Sequence, residues 1–195
     1  MINTLFSEDL MDKYYSDFEL SPDKEVLIRK YISKIVNNDF KDEESNYTFF
    51  YDWILKEILE YDLEKNIRHH EKVDEGRGKS EFVLENENKK FMVIELKSQG
   101  TNLDEKQSGR DKSPVDQAFL YALKSGDVQW ILVSDYNEFK LYNYFKKTRY
   151  ISFKFTYRDK SFPLGKTEIV KKHLLISLVE HVGFIDWFSP DKMYK

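Results

Sequence analysis

The sequence predicts an α/β fold in which helices flank a mixed central β-sheet. The run FMVIEL, residues 91–96, is almost continuously apolar, as is WILV at residues 130–133, and such runs are typical of strands that are covered on both faces. A polar stretch at residues 85–88 separates the first run from another apolar segment, which predicts a hairpin. From Asn46 to Ser134 the predicted order is helix, three strands, helix and strand, and this order favours a sandwich around a mixed sheet.

Length and composition indicate a single folded domain with a buried core. The chain has 195 residues, of which 41% are hydrophobic and 34% charged. It contains no cysteine, which excludes disulfides, thiolate metal sites and cysteine nucleophiles. No run approaches the roughly 18 apolar residues of a membrane span, and the N-terminus lacks the pattern of a signal peptide. We therefore expect a cytoplasmic protein.

The charges are unevenly distributed along the chain. The net charge of −4 argues against a protein that binds nucleic acid over its whole surface. Acids are concentrated between residues 39 and 64, and bases between residues 145 and 172. This asymmetry fits either one phosphate-facing side or simply two differently solvated surfaces.

The elements before the hairpin are predicted from capping signals and periodicity. Residues 4–18 are interpreted as a short helix or an ordered arm. Ser21-Pro22-Asp23 predicts the start of a helix that ends near Asn38, because it combines a capping hydroxyl, a proline at the first helical position and an acid. The apolar spacing then predicts a core helix at about residues 46–61, a strand at about 66–73 and a loop at 74–79.

The hairpin spans Ser80 to Ser98, with its centre near Asn88, and a mobile polar loop is predicted at residues 99–112. A second helix starts at Ser113-Pro114 and ends at Gly126. Further elements are predicted in the remaining chain: the strand DVQWILVSD, its hairpin partner FKLYNYF, a strand ISFKFTY and a helix at residues 167–182.

The second hairpin strand places an acid and an amine side by side. Glu95 and Lys97 are two residues apart, so both side chains point to one face of the strand, and Glu95 interrupts an apolar run. Glu81 opens the first hairpin strand and is predicted to lie opposite Glu95. Carboxylates and a backbone carbonyl are ligands that Mg²⁺ prefers, and a lysine beside them can orient water and offset phosphate charge. The alternative is a same-face ion pair without a chemical role.

Several other motifs do not support a site. Gly76-Arg77-Gly78 lacks the third glycine of a dinucleotide-binding loop. Gly78-Lys79-Ser80 lacks the upstream glycine of a phosphate-binding loop. His69 and His70 are adjacent, so on a strand they point to opposite faces and do not share a metal.

Together these motifs resemble the PD-(D/E)XK nuclease superfamily. Ser80-Glu81 stands where the family has Pro-Asp, and Val93–Lys97 matches the (D/E)XK strand. The run from Gln117 to Tyr121 is similar to the Gln-x-x-x-Tyr feature of RecB-like members. The stretch from Glu44 to Tyr144 looks especially like the N-terminal nuclease domain of type IIG restriction–modification enzymes.

The resemblance implies a restriction-endonuclease-like core and a Mg²⁺-dependent endonuclease, with Mn²⁺ as a substitute, acting on double-stranded DNA. It implies one nuclease domain over residues 1–195, divided into a helical extension (1–43), the core (44–144) and a C-terminal extension (145–195). The chain would be the cleavage module of a restriction–modification system, working with methyltransferase and target-recognition regions that it lacks and dimerising transiently on DNA. The implied catalytic residues are Glu81, Glu95, Lys97 and Gln117, and the implied metal ligands are Glu81, Glu95 and the carbonyl of Leu96.

The match leaves two alternatives open. Glutamate replaces the family's aspartate at residue 81, and Glu85 competes as the first acid because it lies ten residues before Glu95. An upstream acid, Glu44 or Glu57, is a candidate to complete the site. The departure at Ser80-Glu81 also supports a different function, a catalytically inactive nuclease-fold domain that binds DNA or protein.

Overall fold

The central element of the fold is a six-stranded mixed β-sheet. A computed structural model describes residues 21–41, 46–58, 61, 67–69, 82–86, 89–126, 128–148 and 150–155. The strands are β1 (Ile67–His69), β2 (Phe82–Asn86), β3 (Lys89–Leu96), β4 (Trp130–Ser134), β5 (Glu138–Asn143) and β6 (Tyr150–Lys154). The predicted α/β class with a mixed sheet is confirmed. The predicted arm at residues 4–18 and helix at 167–182 lie outside the described residues.

The strands follow one another across the sheet in chain order. Every neighbouring pair is antiparallel except β3 and β4, which run parallel. A parallel pair needs a crossover connection, and residues 97–129 supply it with a loop followed by a helix. The carboxyl ends of the two central strands, β3 and β4, therefore lie side by side.

In the described part of the chain three helices pack on the sheet: α1 (Pro22–Val36), α2 (residues 47–58) and α3 (Pro114–Ser125). Helix α2 is α-helical over Tyr47–Phe49 and π-helical over Phe50–Ile58, and a short 3₁₀ turn covers Tyr144–Lys146. Ser21 caps α1 by accepting a hydrogen bond from the Lys24 amide at 3.4 Å, and Ser113 caps α3 through the Asp116 amide at 3.1 Å. Both predicted helix starts are confirmed. None of the helices in the described ranges is long and apolar enough to cross a bilayer.

The core forms two apolar layers, one on each face of the sheet. Helices α1 and α2 cover one face, where Met92, Ile94 and Leu96 of β3 are buried. Helix α3 covers the other face, where Val93 of β3 packs with Val133 of β4. Because alternate residues of a strand point to opposite faces, the apolar run of β3 follows from burial on both sides. Glu95 shares the face of Val93 and therefore lies on the α3 side.

Candidate active site

Glu95 and Lys97 form a buried ion pair at the end of β3. Lys97 Nζ donates to Glu95 Oε1 at 2.6 Å, and each side chain is only 2% exposed. The Lys97 amide also donates to the Ser134 carbonyl at 2.8 Å, which joins the pair to the carboxyl end of β4. The two residues that were predicted to share one strand face therefore contact each other, at the end of the parallel strand pair. Crevices at such strand ends are the usual ligand sites of open α/β sheets.

Stability alone does not account for this pair. Val133 lies directly opposite Glu95 in the sheet, and Val93 is its neighbour on the same face, so the charges lie beside apolar side chains. Removing two charges from water costs several kcal/mol per ion, and hydrophobic residues of similar volume are often as stabilising or more so. The gain in stability alone is therefore a weak reason for a buried Glu–Lys pair at this strand end.

The register of the β2–β3 hairpin bears on Glu85, the alternative first acid. Phe82 pairs with Ile94, so the strand pairing is centred on residue 88, as predicted. Glu85 follows an irregularity in β2 and pairs with Lys90, five residues before Glu95. At a rise of ~3.3 Å per residue this separates Glu85 from Glu95 by about 16 Å along the hairpin, too far for both to bind one ion.

Glu81, the favoured first acid, lies outside the described residues, as does Glu44. Glu57 is 52% exposed in an ion pair with Lys56, on helix α2, which packs against the sheet face opposite to Glu95. Leu96, whose carbonyl is the predicted third ligand, directly follows Glu95 and buries its side chain beneath α1 and α2.

The donor set within the described part of the chain is incomplete for a metal site. No group of three or more His, Cys, Asp or Glu side chains able to hold a metal occurs there. Glu95 and the Leu96 carbonyl supply oxygen atoms of the kind that Mg²⁺ binds. They fit such an ion only when a further acid joins them, and the predicted register assigns that place to Glu81.

Gln117 lies in the first turn of α3 and bonds to the loop that precedes the helix. Its Oε1 accepts from the Arg110 guanidinium at 3.4 Å, and its Nε2 donates to the Lys112 carbonyl at 3.4 Å. These bonds orient the amide towards the 99–112 loop. Tyr121, one turn later, is half-buried.

Asp135 is a buried acid that the sequence analysis did not single out. Its Oδ2 accepts from the Gly100 amide at 2.8 Å, and its Oδ1 accepts from the amides of Asn137 at 3.1 Å and Glu138 at 2.6 Å. Burial raises the pKa of the Asp135 carboxyl, and these three backbone hydrogen bonds oppose the rise. The signal in the sequence is an acid two residues after the apolar run that ends at Val133.

The segment that follows Lys97 is held at two further points. The Gln99 amide donates to the Phe40 carbonyl at 2.8 Å, and Gln99 Nε2 donates to the Ile35 carbonyl at 2.7 Å. Gly100 adopts a φ of 88°, a left-handed conformation that glycine takes at little cost. The backbone that carries Lys97 is thus tied to β4 on one side and to the end of α1 on the other.

The fold and site define an α/β protein with a buried Glu–Lys pair at the carboxyl ends of its two central parallel strands. Comparison of the chain with protein-family models, with curated proteins and with solved structures finds no significant match.

Proposed function

We propose that this chain is a Mg²⁺-dependent DNA endonuclease domain of the PD-(D/E)XK type, built on a restriction-endonuclease-like core. The observation that carries the proposal is the Glu95–Lys97 pair, buried with a 2.6 Å contact where β3 ends beside β4. An acid followed two residues later by a lysine at the end of a hairpin strand is the arrangement that this chemistry uses. The hairpin register, centred on residue 88, supports Glu81 as the first acid.

The proposed roles follow from the charge and position of each group. A Mg²⁺ ion held by Glu95, the Leu96 carbonyl and Glu81 would polarise the scissile phosphate and lower the pKa of a bound water. The Lys97 ammonium, fixed against Glu95, orients the attacking water and offsets the negative charge that develops on the phosphate. Gln117 holds the loop before α3 through Arg110 and Lys112, so its proposed role is to position that loop towards DNA.

The proposed substrate is double-stranded DNA, and the proposed setting is a restriction–modification system. A net charge of −4 fits a cleavage module whose DNA affinity and sequence specificity come from separate methyltransferase and target-recognition regions. Cutting both strands requires two active sites, so transient dimerisation on DNA belongs to the same proposal.

A cleavage assay with near-isosteric variants tests the proposal. The purified chain is incubated with plasmid DNA and Mg²⁺, and Glu95→Gln and Lys97→Met are compared with wild type after circular dichroism has shown that they fold. We expect each variant to lose at least about 100-fold in rate, the scale of a positioned acid–base group. Lys34→Met is the matched control, since Lys34 also forms an ion pair, with Asp39 at 3.6 Å, outside the site.

A second pair of variants tests the assignment of the first acid. Glu81→Gln should abolish cleavage, whereas Glu85→Gln should retain it because Glu85 lies at the turn end of the hairpin. The reverse result would reject this ligand assignment. Cleavage at the wild-type rate by both Glu95→Gln and Lys97→Met would reject the nuclease proposal.

The test also separates the second candidate, a nuclease-fold domain that binds DNA or protein without catalysis. A wild-type chain that binds DNA but cleaves no duplex, single-stranded or branched DNA, and no RNA, supports binding alone. Calorimetry that detects no Mg²⁺ or Mn²⁺ binding dependent on Glu81 and Glu95 also favours a domain without catalysis.

A further inference from the structure

The buried pair raises a question of access. A phosphodiester has to contact Lys97, yet the side chains of Glu95 and Lys97 are each only 2% exposed. If the pair acts as proposed above, some part of the fold has to move away before the substrate arrives. The inference that follows rests on that proposed function, but its test measures the opening of the fold and does not depend on cleavage activity.

The segment between Gly100 and Gly109 lies on the sheet face that carries Glu95. Leu103 in this segment is 1% exposed and packs in the same apolar cluster as Val93 and Val133. These two valines are the same-face and cross-strand neighbours of Glu95. The segment predicted as a mobile loop therefore makes defined contacts beside the ion pair.

An ion pair joins the outer part of this segment to the sheet, and the Val115 amide of α3 donates to the Leu103 carbonyl at 3.2 Å. Asp104 accepts a hydrogen bond from Lys140 on β5, and the Lys140 side chain is 6% exposed whereas Asp104 is 58% exposed. Lys140 pairs with Val133, which pairs with Glu95, so the three residues form one row across the sheet. At ~4.8 Å per strand, the Cα atoms of Lys140 and Glu95 are about 10 Å apart.

The contacts of Lys140 allow this tie to open. Lys140 Nζ also lies 3.7 Å from Glu138 and 5.5 Å from the centre of the Tyr150 ring. When Asp104 moves into solvent, the buried ammonium keeps an acid and an aromatic face as neighbours. Asp104 itself is already more than half exposed, so it is readily hydrated.

Glycines stand at both ends of the segment. Gly100 has a φ of 88° and Gly109 a φ of 76°. A Cβ atom added at Gly109 would meet nothing within 4 Å, so neighbouring atoms do not enclose this position. Glycine permits large backbone changes at such points because it accesses both signs of φ.

We infer that residues 101–108 form a lid over the Glu95–Lys97 pair, hinged at Gly100 and Gly109 and latched by the Asp104–Lys140 contact. Opening lifts Leu103 from the apolar cluster and exposes the face that carries the pair. Closure excludes water from Lys97, which strengthens its electrostatic interactions.

The absence of native cysteine makes thiol labelling a direct test. Val133→Cys places a thiol under the lid, and Leu132→Cys places one on the opposite sheet face, beneath α1 and α2. Labelling by Ellman's reagent is measured under native conditions in each variant, with and without Asp104→Asn. Asparagine can still accept from Lys140, but without the negative charge the contact is weaker, so the labelling rate at residue 133 should rise by about tenfold. The rate at residue 132 should not change.

Glu105→Gln serves as the matched control, because Glu105 is an exposed acid next to Asp104 in the same segment. Hydrogen exchange of the peptide that ends β3, compared between wild type and Asp104→Asn, repeats the test without a cysteine. Equal acceleration at residues 132 and 133, or none at residue 133, would overturn the lid. If the chain opens as expected but cleaves no nucleic acid, the lid is supported and the proposed function is rejected. If the chain cleaves DNA but Asp104→Asn does not raise labelling at residue 133, the proposed function is supported and the lid is rejected.

Discussion

Replacing Lys97 by methionine should destabilise the protein strongly. Methionine retains the volume of lysine but leaves the Glu95 carboxylate, 2% exposed, without the ammonium that lies 2.6 Å away. Removing one partner of a buried ion pair costs about 3–5 kcal/mol. For a chain of this size each kcal/mol lowers the melting temperature by roughly 2–4 °C, so the expected decrease is roughly 6–20 °C.

Replacing both partners should restore most of this stability. In Glu95→Leu/Lys97→Met, apolar side chains of similar volume lie next to Val93 and Val133. Such replacements are neutral or stabilising by about 1–4 kcal/mol in other proteins. The double variant should therefore melt near the wild-type temperature or above it while it lacks the proposed nuclease activity.

Urea unfolding, followed by circular dichroism, measures the free energy of unfolding of the wild type, Lys97→Met, Glu95→Leu and the double variant. Lys56→Met is the control for loss of an exposed pair, since Lys56 and Glu57 are both 52% exposed, and it should change stability by less than about 1 kcal/mol. A double variant as unstable as Lys97→Met would refute the reasoning, because the ion pair would then be retained for stability.

Two further predictions concern pH. The side-chain hydrogen bond from Lys147 at 2.6 Å lowers the pKa of Asp116, so this carboxylate stabilises the fold above its unfolded pKa and the contribution is lost as pH falls through the folded value. Since Asp116 is 43% exposed, Asp116→Asn should cost less than about 1 kcal/mol at pH 7, and this cost should shrink as the pH falls or as salt is added. Urea unfolding at several pH values measures the difference. Burial raises the pKa of Asp135, so its ionisation weakens the fold as pH rises through that pKa. Asp135→Asn removes one acceptor at a cost of about 1–3 kcal/mol, and unfolding should show a larger deficit relative to wild type at pH 4 than at pH 7; an equal deficit would contradict the sign of the shift.

Local signals predicted the elements well. Ser21 and Ser113 start helices as expected, because a capping hydroxyl acts on amides only two or three residues away. Gly126 ends α3 with a φ of 93°, which glycine alone adopts readily. The hairpin register also followed from the sequence, since a short turn between two strands determines which residues pair.

Contacts between residues far apart in the sequence could not be predicted from local patterns. The tie between Asp104 and Lys140 joins residues 36 positions apart, and nothing in either local pattern pairs them. Asp135 holds Gly100 over a similar separation. The π-helical turns of α2 could not be predicted either, because over nine residues the apolar pattern does not distinguish π-helical from α-helical turns.

The sequence by itself determined that Glu95 and Lys97 share one face of a strand, since the two-residue period of extended backbone is a local property. The tertiary structure alone decided that this face is covered by α3 and by the segment around Leu103, which leaves the pair 2% exposed. It also decided that the pair lies beside the carboxyl end of β4, because strand order and parallel pairing depend on contacts between distant parts of the chain. An acid and an amine on one strand face thus become a closed, paired site only when the sheet and its covering layers assemble.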